Sequence, residues 1–150
     1  MGANPNPVYS RIGRYANGGT STTFRKMTST ANTALDGTGT LDTSIWEAFT
    51  ADATYGSFLR SIVAKIISTG VGVASVLRLW INNGSTNATS TNNGLRREIT
   101  IPAITANQTS ATPDIEVAFN EMLRPGYRIL YAFGTAPVNL WDVYGVGGDY

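Results

Sequence analysis

The sequence contains no cysteine and no histidine. Without cysteine a chain has no disulfide framework, no thiol nucleophile and no thiolate zinc site. Without histidine it has no imidazole metal ligand and no Ser-His-Asp triad. These two absences exclude many common enzyme classes. We therefore predict a protein that is not an enzyme and that has no catalytic, metal or cofactor-binding residues.

Long hydrophobic runs are also missing from the sequence. No apolar run approaches the roughly 20 residues that a membrane span needs. The first ten residues, MGANPNPVYS, lack the basic flank and the apolar core of a secretory signal. We therefore expect a chain that is made in the cytoplasm and has no membrane partner.

Residue types that favour turns and polar strand edges are abundant instead. Threonine, serine, asparagine and glycine make up 59 of the 150 residues, and this composition argues against a helical bundle. A chain of this length fits one domain with a single hydrophobic core.

From Ile45 onward, short apolar runs are separated by turn residues. Apolar and polar residues alternate over 77–81, 99–101 and 115–119, with the period of two that half-buried strands show. The segment 58–67 also fits a helix stripe, but its β-branched residues favour a strand. Segments 46–49, 127–133 and 140–146 complete the set, and 118–124 could close with a helical turn before a proline.

This pattern predicts an all-β fold, an antiparallel β-sandwich of seven or eight strands over residues 45–150. Between two of its strands lies the stretch NNGSTNATSTNNG, residues 82–94, which has no charge and no large apolar group. We predict that it is the exposed loop of a long hairpin, with Asn83, Asn87 and Asn92 in solvent.

Residues 1–44 differ from the rest of the chain because their apolar side chains are sparse. Residues 1–35 carry Arg11, Arg14, Arg25 and Lys26 and no acid, whereas the whole chain has a net charge of +1. We predict an extended N-terminal arm that is either disordered or held by a partner surface, because it cannot bury enough apolar area to become ordered alone. Its charges and aromatics could bind nucleic acid, but so small a positive footprint favours an acidic protein surface.

Four aromatic residues of the sandwich are candidates for a site: Trp46, Trp80, Trp141 and Tyr144. The tryptophans could form a platform on which a sugar stacks. Burial in the core or in a subunit interface is the favoured interpretation, because Trp and Tyr are enriched in both.

Acid–base chemistry would have to come from carboxylates. Asp114, Glu116 and Asp142 could in principle provide the carboxylate pair of a glycosidase. No motif joins them in the sequence, and Glu116 alternates with a core face, as a solvated strand residue does. We therefore assign them no catalytic role.

Two strings carry a family resemblance: SVLRLWINNGSTNATSTNNGLRREITIPA and the C-terminal PGYRILYAFGTAPVNLWDVYGVGGDY. They contain an Asn-Gly-Ser-Thr loop within 82–86, a Glu-Ile-Thr-Ile-Pro strand at 98–102, a Pro-Gly-Tyr turn at 125–127 and a Gly-Gly-Asp-Tyr terminus at 147–150. In these features residues 45–150 resemble a family of small virion proteins of tailed bacteriophages and prophages.

The resemblance implies a structural virion protein, most directly a decoration or cement protein with a jelly-roll-like sandwich on the outer capsid. Its implied partners are the major capsid protein and further copies of the same chain, as a homotrimer made in the host cytoplasm. The arm lies outside the matching region, and its charge leads us to expect that it grips the capsid. The alternative is a receptor- or glycan-binding module of a tail fibre, spike or neck, since the matched motifs are structural.

Overall fold

The computed structural model describes residues 31–149 and, outside that range, the backbone of Gly13–Arg14 and Lys26–Met27. These residues form eleven β-strands and one 3-10 turn, Ser90–Asn92, and they contain no α-helix. The described part of the chain accordingly has no helix with the length and hydropathy of a membrane span.

The strands follow one another along the chain with antiparallel pairing throughout. They are β1 (Gly13–Arg14), β2 (Lys26–Met27), β3 (Trp46–Thr50), β4 (Ser57–Ile66), β5 (Gly70–Val71), β6 (Ser75–Asn82), β7 (Asn93–Ile101), β8 (Thr105–Ala106), β9 (Ile115–Leu123), β10 (Arg128–Phe133) and β11 (Trp141–Asp149).

Two sheets face each other across the main core. One has the order β1-β11-β4-β9, with β2 also paired to β11, and the other has the order β3-β10-β6-β7. Strands β5 and β8 form a separate two-stranded ribbon. Buried apolar side chains from both sheets join in one cluster, which includes Leu59, Ile62, Trp141 and Val143 from the first sheet and Phe49, Leu77, Leu79, Ile129 and Phe133 from the second. The prediction of an all-β antiparallel sandwich is confirmed, and the jelly-roll topology stays a prediction.

Local patterns explain most strand assignments. The strand predicted over 58–67 is confirmed, since β4 alternates buried and less buried residues along most of its length. The helical turn considered for 118–124 is wrong, because this segment continues the β4–β9 ladder, with Glu121 opposite Leu59. A register shift in that ladder coincides with Asn120, whose φ of 53° lies in the left-handed region. Asparagine tolerates this conformation better than most residues do.

A glycine allows the two sheets to approach each other. Gly145 of β11 faces Phe49 of β3, and a Cβ added at Gly145 would lie 2.5 Å from Cδ2 of Phe49. Any side chain at this position would therefore require the phenylalanine ring to shift.

Residues 31–44, which we call the strap, lie against the outer face of the four-stranded sheet. The backbone N–H of Asn32 donates to the carbonyl of Phe133 at 2.9 Å, and the indole Nε1 of Trp80 donates to the carbonyl of Leu35 at 2.9 Å. Beside the strap is a second apolar cluster, formed by Leu41, Ile45, Trp80, Leu130 and Ala132. The strap belongs to the predicted arm, so this part of the arm contacts the sandwich of its own chain.

Candidate interaction surfaces

All three tryptophans are buried within a single chain. Trp46 and Trp141 are part of the main core, and Trp80 is fully buried beneath the strap. They cannot stack on a sugar or line a subunit interface, and of the interpretations considered only burial in the core fits them. Tyr144, on β11, is half-buried and remains the one aromatic of the predicted set with an accessible surface.

The predicted exposure of the Asn-rich loop requires a correction at Asn87. Asn83 is exposed as predicted and Asn92 is half-buried, but Asn87 is only 5% exposed. Its side-chain Nδ2 donates a 2.7 Å hydrogen bond to the carbonyl of Gly39 in the strap. An amide can be buried when its polar atoms have partners, and the strap provides this one.

Further amides and one guanidinium connect this loop to the strands on either side. Nδ2 of Asn82 donates to Oδ1 of Asn93 at 2.7 Å, and Nδ2 of Asn93 donates to the carbonyl of Asn87 at 2.9 Å. Nη2 of Arg128 donates to Oδ1 of Asn82 at 2.8 Å and also to the carbonyl of Ser85. The loop is therefore held by side-chain hydrogen bonds at its base. These hydrogen bonds were not predicted from the sequence because the loop contains few apolar residues. The signal that could have predicted them is the density of asparagine near the ends of β6 and β7.

The structure describes only two of the four predicted capsid-binding residues of the arm. Arg11 and Arg25 lie outside the described residues, and Arg14 and Lys26 are described by their backbone, in β1 and β2. Both of these strands pair with β11, Arg14 opposite Gly147 and Lys26 opposite Asp142. The described backbone of Arg14 and Lys26 thus belongs to the five-stranded sheet, next to β11.

The three carboxylates weighed for glycoside hydrolysis have different surroundings. Asp114 forms a 2.8 Å salt bridge with Nζ of Lys65, Glu116 is exposed on β9, and Asp142 is half-buried on β11. The hydrogen bond and the charge of Asp114 raise the pKa of Lys65 above its ordinary value. Among the described residues, no three Asp or Glu side chains are grouped as a metal site would require.

Three loops at one end of the sandwich contain no charged residue. They are 67–74, 102–113 and 134–140, and none of them contains Asp, Glu, Lys or Arg. We call these loops the uncharged end. Shallow cavities of about 340 and 310 Å³ flank it. The first is lined in part by Ser68 and Thr69 and also by Lys65, and the second in part by Ser75 and Thr135 and also by Arg78, so charged side chains border the uncharged loops.

The loops of the uncharged end are bound to one another. The N–H of Gly72 donates to the carbonyl of Ile104 at 2.9 Å, and the N–H of Val73 donates to the carbonyl of Pro137 at 3.2 Å. Asn139, only 2% exposed, donates from Nδ2 to the carbonyl of Ile104 at 3.3 Å. The three loops therefore form one preorganised surface.

Comparison with known proteins gives no relative for this chain. No protein-family model, no curated protein and no solved structure matches it.

Proposed function

We propose that this chain is a structural protein of a bacteriophage virion, a decoration or cement protein that binds the outer capsid as an oligomer and stabilises the shell. In this proposal the sandwich is the body of the protein, other copies and the major capsid protein are its partners, and the N-terminal arm supplies additional capsid contacts.

The observation that carries the proposal is where the family-like motifs lie on the sandwich. The Asn-Gly-Ser-Thr motif follows β6, the Glu-Ile-Thr-Ile-Pro motif closes β7, the Pro-Gly-Tyr turn precedes β10, and the C-terminal glycines lie on β11. The matched segments therefore belong to one antiparallel sandwich, the architecture that the resemblance implies. This agreement supports a shared structural role.

The arm contributes an electrostatic argument. Residues 1–35 contain its four basic residues and no acidic residue, and the backbone of two of them, in β1 and β2, pairs with β11. Many weak contacts made by linked copies add up to strong attachment, so no single contact needs to be strong. Attraction to an acidic shell would weaken as salt is added, because salt screens exposed charges.

Cosedimentation with purified capsids that lack the chain tests this proposal. We expect R11E/R14E and R25E/K26E to reduce binding, and wild-type binding to fall as salt rises. The matched control is R60E/R124E, which reverses two exposed arginines of the sandwich. Arm variants that bind as well as the wild type would contradict the role of the arm. A wild-type chain that does not cosediment would contradict capsid binding itself.

The Asn-rich loop favours a second candidate, a receptor- or glycan-binding module. The loop is fixed at its base by the amides of Asn82, Asn87 and Asn93, and it presents exposed Ser85, Thr86 and Thr89. A loop that is already ordered loses less entropy on binding.

Host-cell or cell-wall-sugar binding by the purified chain tests this alternative. Alanine at Ser85, Thr86 and Thr89 would remove the polar contacts while keeping the buried amides. We expect saturable binding that the triple variant loses if the loop is the site. Absence of binding across a panel of host surfaces would contradict this candidate.

A further inference from the structure

Exposed valines are concentrated at the uncharged end. Val71 is 70% exposed, Val73 is 44% exposed and Val138 is 56% exposed. Backbone contacts bring them into one region, since the N–H of Val73 bonds to the carbonyl of Pro137, next to Val138, and Gly72 separates the other two valines. These three exposed valines therefore lie in one region of the surface, which we call the valine patch.

One of these valines has an unfavourable backbone conformation. Val138 has a φ of 65°, and the N–H of Asn139 bonds to the carbonyl of Pro137 at 2.7 Å across it, as in a γ-turn. A β-branched residue is strained in this region, where glycine would be relaxed. Core packing does not require valine here, because more than half of the side chain faces solvent.

The absence of charge in these loops indicates which kind of partner could bind to them. None of the residues 66–77, 99–113 and 129–141 is charged. In a symmetric oligomer, residues near the axis meet their own copies, and a charged residue there would face a like charge. A neutral surface avoids this repulsion, and the centres of protein interfaces are depleted in charged residues. A nucleic acid or an acidic partner would instead require basic side chains.

We propose that the uncharged end is the surface through which copies of this chain associate, with Val71, Val73 and Val138 at its centre. The proposal rests on the self-association included in the proposed function, and it assigns that association to one end of the sandwich. The bound loops present the patch in a fixed arrangement, so little ordering is needed when two copies meet.

Sedimentation equilibrium of the full 150-residue chain, measured without capsids, tests the proposal. We expect the wild type to have a mass of more than one chain and V71D/V73D to dissociate. Burying two unpaired carboxylates should raise the dissociation constant by about a hundredfold or more. The matched control is M122D, which places a charge on an equally exposed apolar side chain near the opposite end. We expect M122D to associate like the wild type.

A second variant distinguishes a loss of association from a loss of folding. V138G removes a side chain of the patch from a backbone conformation that suits glycine, so it should weaken association without a loss of thermal stability. Three results would overturn the proposal: a wild type that stays monomeric at high concentration, V71D/V73D that associates as tightly as the wild type, or M122D that dissociates equally. Because no capsid is present, each of these results leaves capsid binding to be judged by cosedimentation.

Discussion

The indole Nε1 of Trp80 donates a 2.9 Å hydrogen bond to the backbone carbonyl of Leu35, 45 residues earlier in the chain. The tryptophan is fully buried, whereas Leu35 is largely exposed. This bond fixes the strap to the outer face of the four-stranded sheet. The sandwich body therefore includes residues of the strap, although the low apolar content of this segment predicts little structure of its own.

Replacing Trp80 with phenylalanine should keep most of the apolar contact and remove the bond to Leu35. We expect the free energy of unfolding to fall by about 1–3 kcal/mol, from the lost hydrogen bond and the smaller ring. Urea unfolding measures the change. Y55F serves as the control, because Tyr55 is 71% exposed, and it should have no measurable effect. An unchanged midpoint for W80F would contradict the attachment of the strap.

Two asparagines of the same loop should differ in their contribution to stability. N87A removes a buried amide and leaves the Gly39 carbonyl without its donor, so we expect a loss of about 1–3 kcal/mol. N83A removes an exposed amide and should cost less than about 0.5 kcal/mol. Thermal denaturation of both variants compares them directly. Equal effects would mean that the loop is held by something other than the strap.

The close approach of the sheets gives a third prediction. G145A places a methyl group against the Phe49 ring, and we expect a destabilisation of about 1–3 kcal/mol from overpacking. In G94A the new Cβ would have Cγ2 of Ile81 as its nearest neighbour, at 3.5 Å, which is an ordinary contact. Urea unfolding should show a large loss for G145A and little change for G94A. An unchanged stability of G145A would contradict the described packing of β3 on β11.

Asp36 provides a prediction about pH. The hydroxyl and the N–H of Thr38 donate to its Oδ1 at 2.7 and 3.0 Å, and these bonds lower the pKa of Asp36 below its ordinary value of 3.8. Since the folded-state pKa is lowered, the associated stabilisation is present above the unfolded-state pKa and is lost as the pH falls through the folded-state pKa.

An NMR titration of the Asp36 carboxyl measures this shift. We expect a midpoint below 3.8 in the wild type and a return toward 3.8 in T38A. T43A is the control, because Thr43 is exposed and its backbone N–H bonds to Thr40 rather than to Asp36. A midpoint that T38A leaves unchanged would show that Thr38 does not stabilise the carboxylate.

Period-two alternation made much of the sandwich predictable. Strands such as β6 and β9 show it in their sequence, because one face of each strand packs on the core. The density of β-branched residues was sufficient to identify β4 as a strand. The short ribbon of β5 and β8 could not be predicted, since two-residue strands have no period and depend on loops that meet only in the folded chain.

The candidate surfaces were less predictable from the sequence. Exposure of Asn87 was wrongly expected because an amide is polar, and its burial depends on a carbonyl 48 residues away. The uncharged end is composed of three segments that are far apart in sequence, and the topology of the sheets brings them together. The local sequence pattern predicts strand periodicity and turns. It does not predict which residues, distant in sequence, supply the hydrogen-bond partners of a buried polar group.

The copy number of the chain in virions tests the proposed capsid role most directly. Quantitative mass spectrometry of virions purified from cells that encode the chain gives the ratio of the chain to the major capsid protein. We predict a constant stoichiometric ratio, with copies in the order of hundreds. A handful of copies per virion would contradict the decoration role and favour a tail or neck position.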